Sequence, residues 1–179
     1  MSKAAALPYP TGRQRPSEKL AKELAQLATS LDGAVTETGT DVDIAVPPER
    51  LHTLIEALKT RSTLSFDFLR NILGLDFEAE GMALKYQLYS FKHGHAVQVT
   101  IATAAGHPHV RSLTDLYPAA DWHEREASEM FGFVFDGHPN PKNLLLEEDL
   151  HIHPLLKAHP LQKAEIKQGI EEGPAGFKF

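Results

Sequence analysis

Glu124, Glu126 and Glu129 fall within one short helical window, interleaved with His123 and Arg125 and bounded by Trp122 and Gly132. Carboxylates spaced this closely can act as general acids and bases, hold a divalent cation, or pair with cationic side chains. A single helix supplying all of them, with no nucleophile or cofactor loop in the sequence beside it, supports ion pairing over catalysis. On a helical wheel of about 100° per residue, Ala119, Ala120, His123, Ala127, Met130 and Phe131 share an apolar arc. Glu124, Arg125, Ser128 and Glu129 lie opposite, while Glu126 projects between Trp122 and Met130 at the edge of the apolar side. A charged carboxylate there needs a cation or several hydrogen-bond donors, because an unpaired buried charge costs about 3–5 kcal/mol. Arg125, a basic residue of the tail or a residue of another chain is the expected partner.

The other groups able to do chemistry are ten histidines, three sets of which form pairs with one residue between them: His93 and His95, His107 and His109, His151 and His153. On extended chain such a pair points to one side and can ligate a transition metal, which makes a free-standing His-rich metal-binding protein the alternative from a different functional class. One pair sits at a turn and the others beside prolines, where exposed histidine is unremarkable, so no metal site is assigned. The chain has no cysteine, which excludes disulfide scaffolds, thiol nucleophiles, zinc ribbons and thiolate-held iron–sulfur clusters. It has neither a phosphate-binding loop nor a dinucleotide fingerprint, so it should not bind a dinucleotide. A net charge of −6 gives no electrostatic reason to approach nucleic acid, and Lys3, Arg13 and Arg15 are too few to change that.

The elements that must position these residues are legible in the periodicity. Its 179 residues suit one domain. Residues 1–16, with Pro8, Pro10, Gly12 and Pro16, read as a flexible arm, and residues 17–135 as the core domain. Ser17 caps a helix with Leu20, Leu24, Leu27 and Leu31 on one side, ended by Gly33. Val42, Ile44 and Val46 alternate as a strand that stops at Pro47-Pro48. A second helix buries Leu51, Leu54, Ile55 and Leu58. Phe66 to Phe77 fits neither helix nor strand period, whereas Met82 to Leu88 and Val97 to Ile101 make a hairpin about His93-Gly94. A short helical stretch is expected near Leu113 and Leu116, and Asp121 is expected to cap the carboxylate-bearing helix, with Gly132 as its left-handed stop. Repeated proline leaves residues 136–179 as an extended tail that needs a surface to lie on. The fold class is therefore α+β: a small, mostly antiparallel or mixed sheet with helices on one face and an extended C-terminal tail. No stretch approaches the roughly 20 apolar residues of a bilayer span, and the N-terminus lacks the apolar centre of a secretory signal, so a cytoplasmic protein is expected.

Trp122-His123-Glu124-Arg125-Glu126, then Glu129-Met130-Phe131-Gly132, Gly137-His138-Pro139 and Lys142 before Leu144-Leu145, resembles the signature of the C-subunit family of respiratory complex I. The sequence departs from it at Glu129, where aspartate is usual, at Pro141-Lys142-Asn143, where the family has leucine and two arginines, and along His153 to Pro160. The resemblance implies a scaffold component of the peripheral arm of a proton-pumping NADH:quinone oxidoreductase, on the cytoplasmic side of the energy-converting membrane and touching it only through the complex. Its partners would be the D component, which carries the quinone site, and the B and I iron–sulfur components. FMN, iron–sulfur clusters and quinone would belong to the assembly, with no cofactor, metal or catalytic residue in this chain. Glu124, Arg125, Glu126, Glu129, Phe131, Gly132, Phe135, Gly137, His138, Pro139 and Lys142 would lie at subunit interfaces, and Glu126→Gln would weaken association with the quinone-site partner. The alternative within the family is the equivalent component of a membrane-bound hydrogenase or a ferredoxin-driven complex.

Overall fold

The computed structural model describes residues 17–38, 41–147, 150 and 152–159; the N-terminal arm at 1–16 lies outside them. In chain order the elements are α1 (Glu18–Thr29), β1 (Ala34–Thr38), β2 (Asp41–Ala45), α2 (Leu51–Thr60), β3 (Phe68–Asp76), β4 (Met82–Ser90), β5 (His95–Thr103), β6 (His109–Arg111), α3 (Ala120–Phe131) and β7 (Val134–Asp136). The first five strands form one sheet in the order β1-β2-β5-β4-β3. Only β2 and β5 run parallel; the other pairs are antiparallel. Strands β6 and β7 make a separate parallel pair. This is the expected α+β class with a mixed sheet. Among the described residues no helix is long and apolar enough to cross a membrane.

Period-two alternation gives the sheet one apolar face. Register places Ile72 opposite Tyr86, Tyr86 opposite Val99, and Ile44 beside Val99, so a single row of core side chains crosses four strands. The leucines of α1 and α2 and Ala120 and Ala127 of α3 join these residues in one cluster, which puts the helices on the same side. On the opposite face a polar cluster joins β2, β5 and β4: the Asp43 carboxylate accepts from Lys85 Nζ at 3.3 Å, Gln98 Nε2 at 2.7 Å and Thr100 Oγ1 at 2.7 Å.

Local chemistry explains where the elements begin and end. Ser17 Oγ accepts from Leu20 N–H at 3.2 Å, the cap its position implies. Helix α1 stops at Thr29, earlier than Gly33, because Asp32 takes the left-handed backbone with φ 59° and Gly33 N–H returns to Ala28 O at 2.9 Å. The ambiguous 66–77 segment is strand β3, and its period is obscured by a bulge between Leu69 and Asn71. The bulge puts Leu69 and Ile72 on the core face three residues apart, a helix-like spacing in a strand. Near Leu113 and Leu116 the chain makes a hydrogen-bonded turn from Leu113 O to Leu116 and Tyr117 N–H in place of a helix.

Helix α3 rests on edge strand β3 through the ring of Phe131, which lies against the backbone of Gly74. A Cβ at Gly74 would stand 2.4 Å from Phe131 Cδ2, so only glycine allows this approach. Gly74→Val should therefore lever α3 off the sheet and cost about 1–3 kcal/mol, read as a lowered urea midpoint. An unchanged midpoint would show that the ring has room to move.

Candidate functional site

The carboxylate-bearing helix is entered through a tight turn. Ala120 N–H donates to Tyr117 O at 2.9 Å, and the N-cap residue is Ala119, which has no side chain able to cap. Asp121 thus sits inside the first turn and is not the cap: the preceding turn already satisfies the first amide, and the aspartate faces the positive end of the helix dipole. Gly132 closes α3 with φ 81°, as its position implies.

The wheel is corrected at the carboxylates. Glu124 and Glu129, placed opposite the apolar arc, are buried, whereas Glu126 and Trp122 are exposed. Glu126 therefore needs no partner to stay charged. A wheel assumes one apolar neighbour, but α3 is covered on two sides. Ala120, Ala127 and Phe131 meet the core, and a second side meets backbone of the 112–114 turn and the 142–146 loop, which offers N–H donors to buried carboxylates.

Glu124 Oε2 accepts from Ser112 Oγ at 2.6 Å and Oε1 from Leu113 N–H at 2.7 Å. Burial lifts its pKa from 4.5 to about 7 against the opposing effect of those two hydrogen bonds, with the charges of Asp115 and Asp121 adding to the rise. Beneath it the Tyr86 hydroxyl is buried with no hydrogen-bond partner among the described residues, and burial, aided by the Glu124 charge, pushes its pKa well up. His138, almost fully buried, stands between two carboxyls: its Nε2 is 3.3 Å from Asp121 Oδ1 and 4.0 Å from Glu124 Oε2. Asn140 N–H donates to Nδ1 at 3.0 Å, so Nε2 carries the ring proton and donates to Asp121 O at 3.1 Å.

Glu129 is the anchor of the tail. Its carboxylate accepts from Leu144 N–H at 3.1 Å, Leu145 N–H at 3.0 Å and Leu146 N–H. Successive amides aimed at one anion form a nest, here filled by the chain's own side chain. Arg125 complements it, donating from Nε to Lys142 O and from Nη2 to Asn143 O, both at 2.7 Å. Further on, His153 Nδ1 donates to Glu129 O at 2.9 Å and Leu155 N–H to Met130 O at 3.1 Å, which satisfies carbonyls at the end of α3. Beyond β7 the described part of the tail contains no helix or strand and lies on this chain's own domain. Leu156 packs on the core, and Lys157 N–H donates to Asp76 Oδ2 at 2.9 Å.

The sequence-predicted residues therefore divide. Glu124, Glu129, Gly132 and Phe135 are buried in contacts within the chain; Arg125, Phe131 and His138 are partly covered; Glu126, Gly137, Pro139 and Lys142 are exposed. A small open cleft lies between Glu124, Arg125, Ser128, His138 and Lys142. Ser112, Tyr86 and the amides of 144–146 join the site with no signal in the sequence, because their roles come from backbone groups and long-range packing.

Of the paired histidines, His93, His95, His107 and His153 meet backbone carbonyls and His109 a carboxylate. His93 Nε2 lies 3.0 Å from Ser62 O and His95 Nε2 2.9 Å from Leu64 O. His107 Nδ1 lies 3.3 Å from Gly132 O, while His109 Nδ1 lies 2.9 Å from Asp136 Oδ1. His151 is outside the described residues, among which no three metal-ligating side chains converge. The arrangement as a whole is a clamp: charged side chains of α3 are used to order two irregular segments.

Large apolar side chains are among those the clamp exposes. Trp122 is 65% exposed on α3 and Leu145 64% on the loop that Glu129 holds, followed by exposed Ile152 and Leu155.

Comparison with known proteins agrees with the signature. Residues 44–165 match the family described as the 30 kDa subunit of respiratory-chain NADH dehydrogenase. The NADH-quinone oxidoreductase C-subunit of Roseiflexus castenholzii is 36% identical over 148 residues, spanning 80% of this chain and 85% of that protein. The C-subunit of Salinispora arenicola is 31% identical over 175 residues, or 96% of this chain and 71% of its own. The solved trypsin-resistant fragment of Nqo5 superposes with a TM-score of 0.60 at 26% identity, covering 67% of this chain and 98% of that fragment. With the family matched over residues 44–165, and Glu124, Arg125 and Glu129 of the signature holding the clamp, the chain belongs to the family of the 30 kDa subunit, or C-subunit, of respiratory-chain NADH dehydrogenase.

Proposed function

We propose that this chain is a non-redox scaffold component of the peripheral arm of an NADH:quinone oxidoreductase, packed against the D component at the quinone site and near the B and I iron–sulfur components. In this reading FMN, iron–sulfur clusters and quinone are carried by other subunits. The peripheral arm sits on the cytoplasmic side of the energy-converting membrane, and this chain reaches the membrane only through the complex. One observation carries the reading: Arg125 and Glu129 hold an irregular segment against α3 with Leu145 exposed, and Trp122, Ile152 and Leu155 are exposed as well. Exposed large apolar groups on a fixed backbone are what an obligate neighbour covers, since ordering them in advance lowers the entropy lost on docking.

The test is purification from native membranes through a tag on the full chain, with mass spectrometry and iron analysis of what co-elutes. The B, D and I components with bound iron are expected, and the input module that accompanies them identifies the electron donor. The double variant Leu145→Ser, Ile152→Ser should recover at least about tenfold less of these components, the loss expected from about 1.4 kcal/mol or more of interface energy. A chain recovered alone from wild-type membranes would overturn the reading.

A further inference from the structure

Helix α3 presents one side chain pair that its own fold does not use. Trp122 is 65% exposed, and Glu126, one turn further along, is exposed and makes no hydrogen bond or ion pair among the described residues. Residues four apart on a helix are neighbours, with Cβ atoms about 5–6 Å apart, so the carboxylate lies beside the indole. The nearest cation in sequence cannot neutralise it, because the Arg125 guanidinium is turned to Lys142 O and Asn143 O on the tail side of the helix. Each other carboxylate of α3 has a claim on it within the chain. Glu124 takes Ser112 and Leu113, Glu129 takes the 144–146 amides, and Asp121 faces His138. Among the described residues, Glu126 alone of the helix acids is left to solvent.

We infer that Trp122 and Glu126 form a receptor for an arginine side chain on the neighbouring subunit, whose guanidinium stacks on the indole while its N–H groups pair with the Glu126 carboxylate. Charge complementarity fixes the occupant. The exposed carboxylate asks for a cation, and the indole face, negative at its centre, favours the same sign. Arginine fits better than lysine because its plane stacks on an aromatic ring and its fork matches a carboxylate at the same time. An apolar partner residue would cover Trp122 but would strand the Glu126 charge at the rim of a dry contact. This inference rests on the scaffold reading and goes further by naming the chemistry of the partner surface.

The experiment uses the tagged full chain in native membranes, captured and washed through a salt gradient, with the retained subunits quantified by mass spectrometry. Trp122→Ala is expected to reduce the retained neighbour about tenfold at every salt concentration. Glu126→Gln is expected to release it at lower salt than wild type, and Glu126→Lys to release it in the initial wash. Both positions are exposed, so an unchanged thermal midpoint of the purified variants separates lost docking from lost folding. Retention equal to wild type in Trp122→Ala and in both Glu126 variants would overturn this inference while leaving the scaffold reading intact. Loss in Trp122→Ala with an unaltered salt profile in Glu126→Gln would overturn the pairing with arginine. A wild-type chain that retains no other component would overturn the scaffold reading and this inference with it.

Discussion

Glu129→Ala should free the 142–147 segment from α3 and abolish its protection from amide exchange. The native carboxylate is the acceptor for Leu144, Leu145 and Leu146 N–H, and alanine leaves those amides facing an apolar gap or solvent. Hydrogen bonds to a charged acceptor contribute about 1.5–3 kcal/mol each, and a partly exposed loop recovers some of that by meeting water once released. A local loss of about 3 kcal/mol is expected, which raises the open population of the loop on the order of a hundredfold. The sheet should be unaffected, so exchange at Val99 and Leu84 should match wild type. Glu129→Asp is the informative companion: it keeps the charge, and partial protection would show that the charge orders the loop even with a shorter arm. Wild-type protection of 144–146 in the alanine variant would mean that Arg125 and the contacts of His153 hold the tail without the carboxylate.

The second large effect is a pH dependence that Glu124 alone should impose. Its carboxyl is fully buried and its pKa stands at about 7 against an ordinary 4.5. Between those values the folded chain holds a proton that the unfolded chain has lost, so stability is fully present below the lower value and falls as pH rises through the upper one. The decline amounts to about 3 kcal/mol and levels off above neutrality. Glu124→Gln imitates the protonated acid and should flatten the difference. In paired denaturant titrations from about pH 4 to pH 8, the variant should gain on wild type as pH rises. Parallel curves for the two proteins would sink the assignment. Glu124→Ala should lose about 2–5 kcal/mol at acid pH, because Ser112 Oγ and Leu113 N–H are then buried without an acceptor, and its deficit should shrink as pH rises because it too lacks the titrating acid.

Both effects have one origin, which is that a helix rich in charge can be structural. Acids at positions 124 and 129 are not exposed for chemistry; each neutralises backbone amides that no helix or strand pairs, and so allows turns and loops to be buried. The scaffold role proposed for the chain depends on that device, since the described part of the 142–156 segment has no regular structure of its own to fix it.

What the sequence determined by itself were the features that depend on near neighbours. Ser17 as a cap, the leucine stripes of α1 and α2, the β4–β5 hairpin about Gly94 and the left-handed stop at Gly132 all follow from residues within a turn or two of one another. The Trp122 to Lys142 signature was also legible there, through its resemblance to a known family. Tertiary structure decided the rest. Strand β1 lacks an alternating core and is held by its pairing with β2, the bulge in β3 disguised a strand as neither period, and β6 and β7 exist only because distant segments meet. Above all, the wheel placed Glu126 at the buried edge and Glu124 and Glu129 outside, the reverse of what is found. A wheel ranks side chains by their affinity for an apolar neighbour, whereas two sides of α3 are covered, and one of the covering surfaces is made of backbone N–H groups. Which surface a helix meets is set by chain contacts across the domain, and that is the information a local pattern does not hold.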